Sequence, residues 1–323
     1  MKVAVLGYGT VGAGVYSMLS DAPGMEAGPV IVRPGKAVES FMVSDAALIF
    51  GDPTVDAVVE TLGGLDPAYS YGMRALEAGK HFITANKVMV ASHGLELAAL
   101  AREKGAAFLF SAACGGGVPF LHNLALSAET DRIEAVSGIL NGTTNYMLDA
   151  MQRRGLSYGD ALREAQSLGY AESDPTADVS GLDALRKMQL ACAVAFGVLP
   201  QSGMLCEGME HFTAADVEDI QSRGLVCRLM ARGSRAGESV SAYVEPVLFP
   251  RAAPESSVFT NNNMASYTGK RCGSIVLMGQ GAGRFPTASA VLRDLSAAQQ
   301  GARSMFPENC RAAEADNREA VHS

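Results

Sequence analysis

The stretch Val3-Ala-Val-Leu-Gly7-Tyr-Gly9-Thr-Val-Gly12 decides the fold of the first third of the chain. Its first four residues are an apolar run typical of a buried strand, and helix-like sequence follows Gly12. Glycines spaced G-x-G-x-x-G between a strand and a helix are a dinucleotide-binding fingerprint. Gly7 permits the turn, Gly9 lets backbone N–H groups approach a pyrophosphate, and Gly12 lets the helix lie on the strand. An ordinary glycine-rich turn is the alternative, and the strand directly before it favours the nucleotide site.

Strand and helix patterns alternate after this motif. The strands are predicted over Pro29–Arg33, Val55–Thr61, Lys80–Thr84 and Ala106–Phe110, and the helices over Pro67–Ala78 and Ser92–Lys104. This alternation predicts a Rossmann-type, doubly wound parallel sheet. Ligands of such sheets bind beyond the carboxyl ends of the strands. The predicted cofactor-binding residues at the turn and at these strand ends are Gly7, Gly9, Thr10, Val11, Gly12, Thr61, Ala85 and Lys87.

Two basic residues bear on the choice of cofactor. The second strand of an NAD site usually ends in an acid that holds the ribose 2′-hydroxyl. Here Arg33 stands in that region and Lys36 follows. These cations favour binding of a 2′-phosphate, hence NADP over NAD. The alternative is that the Arg33 and Lys36 side chains are solvated loop charges. Lys87 is likewise either a cation that contacts the cofactor or reactants, or a surface charge, and its place at a strand end favours the first.

The bulk composition excludes several classes of protein. The 323 residues are 48% hydrophobic and 19% charged, which fits a globular protein of two domains or one large one. A net charge of −8 without a basic run argues against nucleic-acid binding. The sequence has no apolar stretch as long as a membrane span. The six cysteines lack a CxxC pair, which favours reduced thiols and a cytoplasmic location.

An acid-rich run stands before the long apolar helix of the middle region. Glu172, Asp174, Asp178 and Asp183 precede Lys187 within a few turns of chain. Asp183 and Lys187 are four residues apart, so on a helix they share one face. That face continues through Leu190, Ala191 and Val194. An exposed ion pair is the alternative, but charges aligned with an apolar stripe predict a group facing a cleft or core.

A second polar run follows the predicted strand Ile133–Leu140. It reads Asn141-Gly-Thr143-Thr-Asn-Tyr146, and Asn-Gly is a turn signal. The run is either a simple turn from strand to helix or a row of hydroxyls and amides that positions a nicotinamide or a polar substrate. Asn141 and Thr143 are the predicted substrate-binding residues of this run.

Several motifs together resemble homoserine dehydrogenase. They are Gly63-Gly64, Gly79-Lys-His81, Thr84-Ala-Asn-Lys87, Gly138 to Tyr146, Gly169 to Lys187, and Gly279 to Ser289. The resemblance runs in the family's order from residue 1 to about residue 300. It implies a Rossmann-type domain over 1–118 and 283–303, and an α+β catalytic and dimerisation domain over 119–282. The polar residues 304–323 are predicted to be disordered.

The resemblance also implies roles for individual residues. Lys187 would be the proton donor and acceptor at the reacting oxygen, and Asp183 would bind and orient the substrate. Glu172 and Asp178 would hold the substrate ammonium group. Lys87 would lie near nicotinamide and substrate, and Gly281 would lie on the segment that returns to the cofactor. Homodimerisation through the sheet of residues 204–250, which are predicted to form a helix pair and strands, is a further implication.

The sequence departs from the family pattern at two places. Ser111 stands where the family usually has a Glu that helps to hold a monovalent cation such as Na⁺. The backbone carbonyls of Cys114, Gly116 and Val118 remain as ligands, but the missing charge puts Na⁺ in doubt. The segment between Arg33 and Val55 is short, which questions one cofactor-domain element. The length of the chain also leads us to expect no C-terminal regulatory domain.

The predicted function is therefore NAD(P)-dependent interconversion of L-aspartate 4-semialdehyde and L-homoserine, in threonine, methionine and isoleucine biosynthesis. A substrate ammonium group explains the acid-rich run, because several carboxylates are costly to bury without a cation. One alternative is a related oxidoreductase that acts on another amino-acid-derived substrate. A non-catalytic NADP sensor is the other, and the presence of both Asp183 and Lys187 disfavours it.

Overall fold

The structure is a computed structural model that describes residues 1–317. Its strands are β1 (Lys2–Leu6), β2 (Glu26–Ile31), β3 (Met42–Val43), β4 (Ala57–Glu60), β5 (His81–Thr84), β6 (Phe108–Leu109), β7 (Ile133–Ile139), β8 (Val198–Ser202), β9 (Leu205–Cys206), β10 (Leu225–Ala236), β11 (Ser239–Pro250), β12 (Asn262–Gly269), β13 (Gly273–Gln280) and β14 (Arg311–Glu314). Its α-helices are α1 (Thr10–Leu19), α2 (Ala47–Phe50), α3 (Ala68–Glu77), α4 (Lys87–Lys104), α5 (Phe120–Ala128), α6 (Gly142–Arg154), α7 (Tyr158–Ser167), α8 (Thr176–Val179), α9 (Leu182–Phe196), α10 (Ala214–Ser222) and α11 (Arg284–Gln299).

The chain divides into two compact units. The first comprises Met1–His122 and Ala282–Cys310. The second comprises Asn123–Gly281 and, within the described residues, the segment 311–317. No helix in residues 1–317 is long and apolar enough to cross a membrane.

The first unit is built on a six-stranded sheet in the order β3-β2-β1-β4-β5-β6. Every neighbouring pair in it is parallel, which confirms the predicted Rossmann-type sheet. Strands β1, β4 and β5 are buried on both faces, as helices on each side of a parallel sheet require. The short segment between Arg33 and Val55 put one element of the cofactor domain in question. That segment forms the two-residue strand β3, which hydrogen-bonds to the end of β2.

Helix α4 begins earlier than predicted. Its first residue is Lys87, whereas the sequence pattern placed the start at Ser92. The Asn86 side chain accepts a hydrogen bond from the backbone N–H of Met89 at 3.1 Å and caps the helix there. Lys87 therefore lies in the first helical turn and is half-buried. A cation there opposes the helix dipole, so helix stability alone does not explain it.

The second unit contains a mixed six-stranded sheet in the order β13-β12-β7-β10-β11-β9. Its neighbours are antiparallel except for the β11–β9 pair. Helix α9 packs on β7, β10 and β11. Leu190, Ala191 and Val194 are buried in this layer, on the predicted apolar face.

Two predictions for residues 204–250 are wrong. The structure has one helix there, α10, rather than a pair. The sequence also predicts that a strand ends at Glu245-Pro246, whereas β11 continues past these residues to Pro250. On the side where β9 pairs with Tyr243 and Val244, no other strand among residues 1–317 borders β11. The missing N–H of Pro246 therefore costs no ladder hydrogen bond.

The prediction that the C-terminal tail is disordered is also wrong for the residues up to Asn317. Strand β14 pairs in parallel with β8, beginning at Arg311 opposite Val198. The Asn317 side chain then accepts from the backbone N–H of Ala242 at 3.0 Å and donates to the Gly203 carbonyl at 2.5 Å. Backbone pairing, which polar composition does not reveal, orders this segment. The remainder of the predicted tail, residues 318–323, lies outside the described residues.

Candidate active site

The second unit holds a lysine–aspartate pair on helix α9. Lys187 Nζ lies 2.6 Å from Asp183 Oδ2, and their side chains are only 13% and 10% exposed. The predicted i, i+4 alignment on an inward face is therefore present in the structure. Gly181 precedes the helix with a φ of 82°, and a Cβ at this position would lie 3.0 Å from the sulfur of Cys206.

The end of β7 completes this pair. Lys187 Nζ donates to the Leu140 carbonyl at 2.6 Å. The Asn141 side chain donates to Asp183 Oδ2 at 2.9 Å and to Asp178 Oδ1 at 2.7 Å. Its oxygen accepts from the Thr144 backbone N–H at 2.8 Å, which caps α6. The oxygen of the Asn141 side-chain amide thus caps α6, while its nitrogen holds two carboxylates.

Asp178 is the second carboxylate of this cluster and is half-buried. Thr143 Oγ1 lies 3.2 Å from Asp178 Oδ2, and it also donates to the Tyr170 carbonyl at 2.6 Å. Burial raises the pKa of Asp178, and the charge of Asp183 adds to that effect, while the hydrogen bond from Asn141 and the charge of Lys187 oppose it. With both aspartates ionised, the cluster carries one more negative than positive charge, so it favours a cationic ligand.

Glu172 does not join the cluster. Its residue is exposed, and among the described residues its carboxylate makes no recorded hydrogen bond or ion pair. Its backbone carbonyl accepts from the Gln166 side chain at 3.1 Å. The sequence placed Glu172 with Asp178 as an ammonium ligand, and that role stays a prediction.

The glycine fingerprint of the first unit has the geometry of a nucleotide site. A Cβ at Gly12 would overlap the carbonyl oxygen of Gly7, so only glycine lets α1 cross β1 this closely. Gly9 has open space where a Cβ would lie, which leaves its backbone accessible. No side chain caps α1, so its first N–H groups, around Thr10 and Val11, are available to an anion.

A cavity of about 990 Å³ adjoins this turn. Five predicted cofactor residues line it, namely Gly7, Gly9, Arg33, Lys36 and Thr61. Both basic side chains belong to exposed residues at the rim. The Thr61 hydroxyl donates to the Leu6 carbonyl at 3.0 Å, tying the end of β4 to β1. The space and the donors fit a dinucleotide.

The sequence missed the aromatic wall of this cavity. Tyr8 and Phe41 line it, with ring centroids 5.7 Å apart. Tyr16 stacks on Phe41 at 4.3 Å and an interplanar angle of 20°. The three residues come from the turn, from α1 and from the segment before β3, so no local pattern reveals the cluster. An aromatic wall beside the glycine-rich turn suits a nucleobase.

The sequence also missed Glu60, a fully buried carboxylate at the end of β4. Its oxygens accept from the Leu62 backbone N–H at 2.6 Å and from Thr84 Oγ1 at 2.5 Å. Burial raises the pKa of Glu60, and these hydrogen bonds oppose that shift. Glu60 thereby fixes the ends of β4 and β5 beside each other, where Thr61 and Ala85 follow.

Gly281 belongs to the second unit and has a packing role there. A Cβ at this position would overlap the side-chain amide of Asn263, which is 1% exposed. Close packing on β12 therefore requires glycine at the end of β13. The cofactor role of Gly281 remains a prediction.

The residues around Ser111 do not favour a monovalent cation. The Ser111 hydroxyl donates to Asp294 Oδ1 at 2.6 Å, and its backbone N–H donates to Oδ2 at 2.8 Å. The Arg293 guanidinium donates to the Gly117 carbonyl at 3.0 Å, which puts a positive charge beside the predicted ligands. The Val118 carbonyl already accepts from the Phe120 N–H at 2.8 Å. Cys114 and Gly116 adjoin the same turn.

Nicotinamide-dependent oxidoreductases combine a Rossmann sheet with a positioned acid–base group, and the chain is a member of that class. A model of the homoserine dehydrogenase NAD-binding domain matches residues 7–111, and the homoserine dehydrogenase model matches residues 119–296. The chain belongs to the homoserine dehydrogenase family.

Individual relatives agree with this assignment. A homoserine dehydrogenase from Synechocystis is 38% identical over 319 residues, covering 91% of this chain and 72% of the relative. The crystal structure of one from Thiobacillus denitrificans has a TM-score of 0.89 at 33% identity, covering 97% of this chain and 79% of that one. A hyperthermophilic archaeal homoserine dehydrogenase in complex with NADPH shares the fold, with a TM-score of 0.79 at 24% identity, covering 96% and 99%.

Proposed function

We propose that this chain interconverts L-aspartate 4-semialdehyde and L-homoserine with a nicotinamide cofactor. One observation carries the proposal: Lys187, whose side chain is only 13% exposed, is held 2.6 Å from Asp183 among polar groups that have an excess of negative charge. Such a cluster supplies both things that an amino-acid aldehyde needs, a proton for its oxygen and an anionic site for its ammonium group.

In this mechanism Lys187 transfers the proton, and the neighbouring polar groups hold the Lys187 side chain in place. The cofactor, when bound, supplies or accepts the hydride. Lys187 Nζ donates its proton to the aldehyde oxygen during reduction and takes it back from the hydroxyl during oxidation. Asp183 and the Leu140 carbonyl hold the Lys187 ammonium group from two sides. Such a positioned acid contributes about 10²–10⁴ in rate.

The substrate ammonium group is assigned to the carboxylates. Asp178 and Asp183 are joined through Asn141, so a cation between them meets two preorganised acceptors. Thr143 restrains Asp178 from the other side. Glu172 is the third proposed contact, from an exposed position on the preceding loop.

The first unit is assigned to the cofactor, with NADP preferred over NAD. Arg33 and Lys36 line the cavity beside the fingerprint turn, where the second strand of an NAD site carries an acid. Gly7 to Gly12 would hold the pyrophosphate, and Lys87 would lie near the nicotinamide. The NADPH complex of the archaeal relative supports this choice of cofactor.

A homodimer in a reducing, cytoplasmic setting is also part of the proposal. All six cysteines are free thiols, as expected in a reducing compartment. The sheet of the second unit, to which the predicted interface region 204–250 contributes β10 and β11, ends at β13, whose Val276 and Met278 are 49% and 59% exposed. An edge strand with exposed apolar side chains favours contact with another chain. Light scattering on the purified protein should give about twice the chain mass of 33.7 kDa.

The reaction is tested by steady-state oxidation of L-homoserine with NADP⁺ and, separately, NAD⁺. 4-Hydroxybutyrate is the matched control because it lacks the ammonium group. We expect its kcat/KM to be at least about tenfold lower, since one charge-assisted contact contributes 1.5–3 kcal/mol. Equal turnover of both alcohols, or preference for a different amino alcohol, would overturn the proposal.

A further inference from the structure

The second unit has a smaller pocket at the end of helix α6 remote from Asn141. Its volume is about 260 Å³, and three arginines, Arg153, Arg228 and Arg251, line it. Their chain positions lie on α6, β10 and the segment after β11. The packed fold therefore brings three positive charges together, and no local sequence motif predicts this cluster.

Arg228 is the unusual member because it is buried. The residue is only 1% exposed, and its guanidinium donates to the backbone carbonyls of Cys227, Glu255 and Ser256 at 3.0, 3.2 and 3.3 Å. Within residues 1–317 no carboxylate is recorded within ion-pair distance of it. Burial lowers the pKa of Arg228, while the nearby charge of Asp149 opposes that shift. Burying a cation without an ion-pair partner costs free energy, so this site favours the binding of an anion.

The chain supplies only part of that counter-charge. Asp149 is the one carboxylate among the residues described as lining the pocket. Its Oδ1 lies 3.9 Å from an Arg153 nitrogen and makes no hydrogen bond, while its Oδ2 accepts from the Thr260 N–H at 3.2 Å. Three arginines against one aspartate leave two positive charges facing the pocket. That excess matches a dianion.

The mouth of the pocket is preorganised. The Arg153 guanidinium lies over the Phe259 ring at 4.6 Å, which holds an otherwise exposed side chain in place. Gln221 donates to the backbone carbonyl of Gln152 and joins α10 to α6 along another side. The volume is below the roughly 300–1,000 Å³ of ordinary small-molecule sites, so the pocket suits a small ligand.

We propose that this arginine pocket binds a small oxyanion dianion, of the phosphate or dicarboxylate class, held by Arg153, Arg228 and Arg251. The inference does not depend on the proposed reaction, since the pocket shares no residue with the cluster around Lys187. A guanidinium fork suits both ligand classes because it matches two oxygens at once.

Isothermal titration of the full chain with inorganic phosphate at pH 8 and fixed ionic strength tests the proposal, with succinate titrated separately to distinguish the ligand classes. We expect saturable binding of one or both dianions. Arg153→Gln and Arg251→Gln should each weaken it about tenfold, since each removes a charge-assisted hydrogen bond. Both residues are exposed, so these variants keep the fold, whereas Arg228→Gln risks unfolding.

Two further variants serve as controls. Arg163→Gln removes an arginine from α7 that is 72% exposed and lies outside the pocket, and it should bind as the parent does. Arg33→Gln removes the proposed 2′-phosphate contact of the first unit and so tests whether the titrated anion binds there instead. The proposal is overturned by the absence of saturable binding of either dianion, by binding that survives both pocket variants, or by binding lost with Arg33→Gln, which would place the anion in the first unit.

Discussion

Asn141 illustrates what the sequence can and cannot predict at the scale of one residue. The Asn-Gly pair after an apolar strand predicts a turn and helix start, and the side chain does cap α6. Likewise, the spacing of Asp183 and Lys187 predicts their pairing on α9. The bridge from Asn141 to Asp178 and Asp183 spans 37 and 42 residues of chain, and only the packed fold brings these groups together.

Cofactor choice is also decided by single residues. We expect Arg33→Gln to lower kcat/KM for NADPH by about ten- to a hundredfold, because it removes a charge-assisted contact of 1.5–3 kcal/mol to the 2′-phosphate. The value for NADH should change little, because NADH lacks that phosphate. Steady-state kinetics with both cofactors measure the ratio. Arg102→Gln, on α4 and outside the cavity, is the control. Equal losses with both cofactors would contradict the assignment.

At the scale of elements, the strongly patterned strands and helices were predictable and the weak ones were not. Strands β1, β4 and β5 are apolar runs followed by turns, and each lies where the pattern placed it, within a few residues. The tail strand β14 has no apolar signature, because its order comes from backbone pairing with β8. The aromatic wall of Tyr8, Tyr16 and Phe41 was missed for a similar reason, since its members lie on separate elements.

The two glycines of the fingerprint should respond differently to an added methyl group. Gly12→Ala places a Cβ against the Gly7 carbonyl, so we expect a loss of about 1–3 kcal/mol or more in the free energy of unfolding. Gly9→Ala has space for its methyl group and an ordinary φ of −78°, so stability should be preserved. Its methyl group would occupy the approach of the pyrophosphate and weaken cofactor binding. Denaturant unfolding and cofactor titration of both variants measure these effects. Equal stability losses would contradict this account.

At the scale of the whole molecule, the first unit is assembled from segments far apart in the chain. Ser111 and Asp294 are separated by 183 residues and joined by two hydrogen bonds. Helix α11 packs on α1, and a Cβ at Gly14 would lie 2.9 Å from Arg284 atoms. The resemblance to a family implied a returning segment, but hydrophobic patterns alone carry no information on so distant a pairing.

Asp294 gives this assembly a pH dependence with a defined sign. Burial raises the pKa of Asp294 from 3.8 to about 7, while the hydrogen bonds from Ser111 and the Arg293 charge oppose the shift. Between these pH values the folded chain retains a proton that the unfolded chain has lost. This group's contribution to stability therefore falls as pH rises through that window, by up to about 4 kcal/mol.

Asp294→Asn should remove that contribution. The difference in unfolding free energy between variant and parent should grow in favour of the variant from pH 4 to pH 7 and stay constant above it. Asp52→Asn is the control, because hydrogen bonds from Thr54 lower the pKa of Asp52, so its effect on stability falls below about pH 4 and its difference from the parent should stay nearly constant from pH 4 to pH 7. Denaturant unfolding at several pH values supplies the data, and a pH-independent difference for Asp294→Asn would refute the assignment.

The most direct measurement is the turnover number of Lys187→Met with L-homoserine, alongside its affinity for NADPH by fluorescence titration. Lys104→Met, on an exposed part of α4, is the matched control. The account predicts that kcat of Lys187→Met falls by about 10²–10⁴ while cofactor affinity and the control variant stay near the parent values. A Lys187→Met enzyme that keeps kcat within about tenfold of the parent, short of the smallest loss expected for a positioned acid, would contradict it.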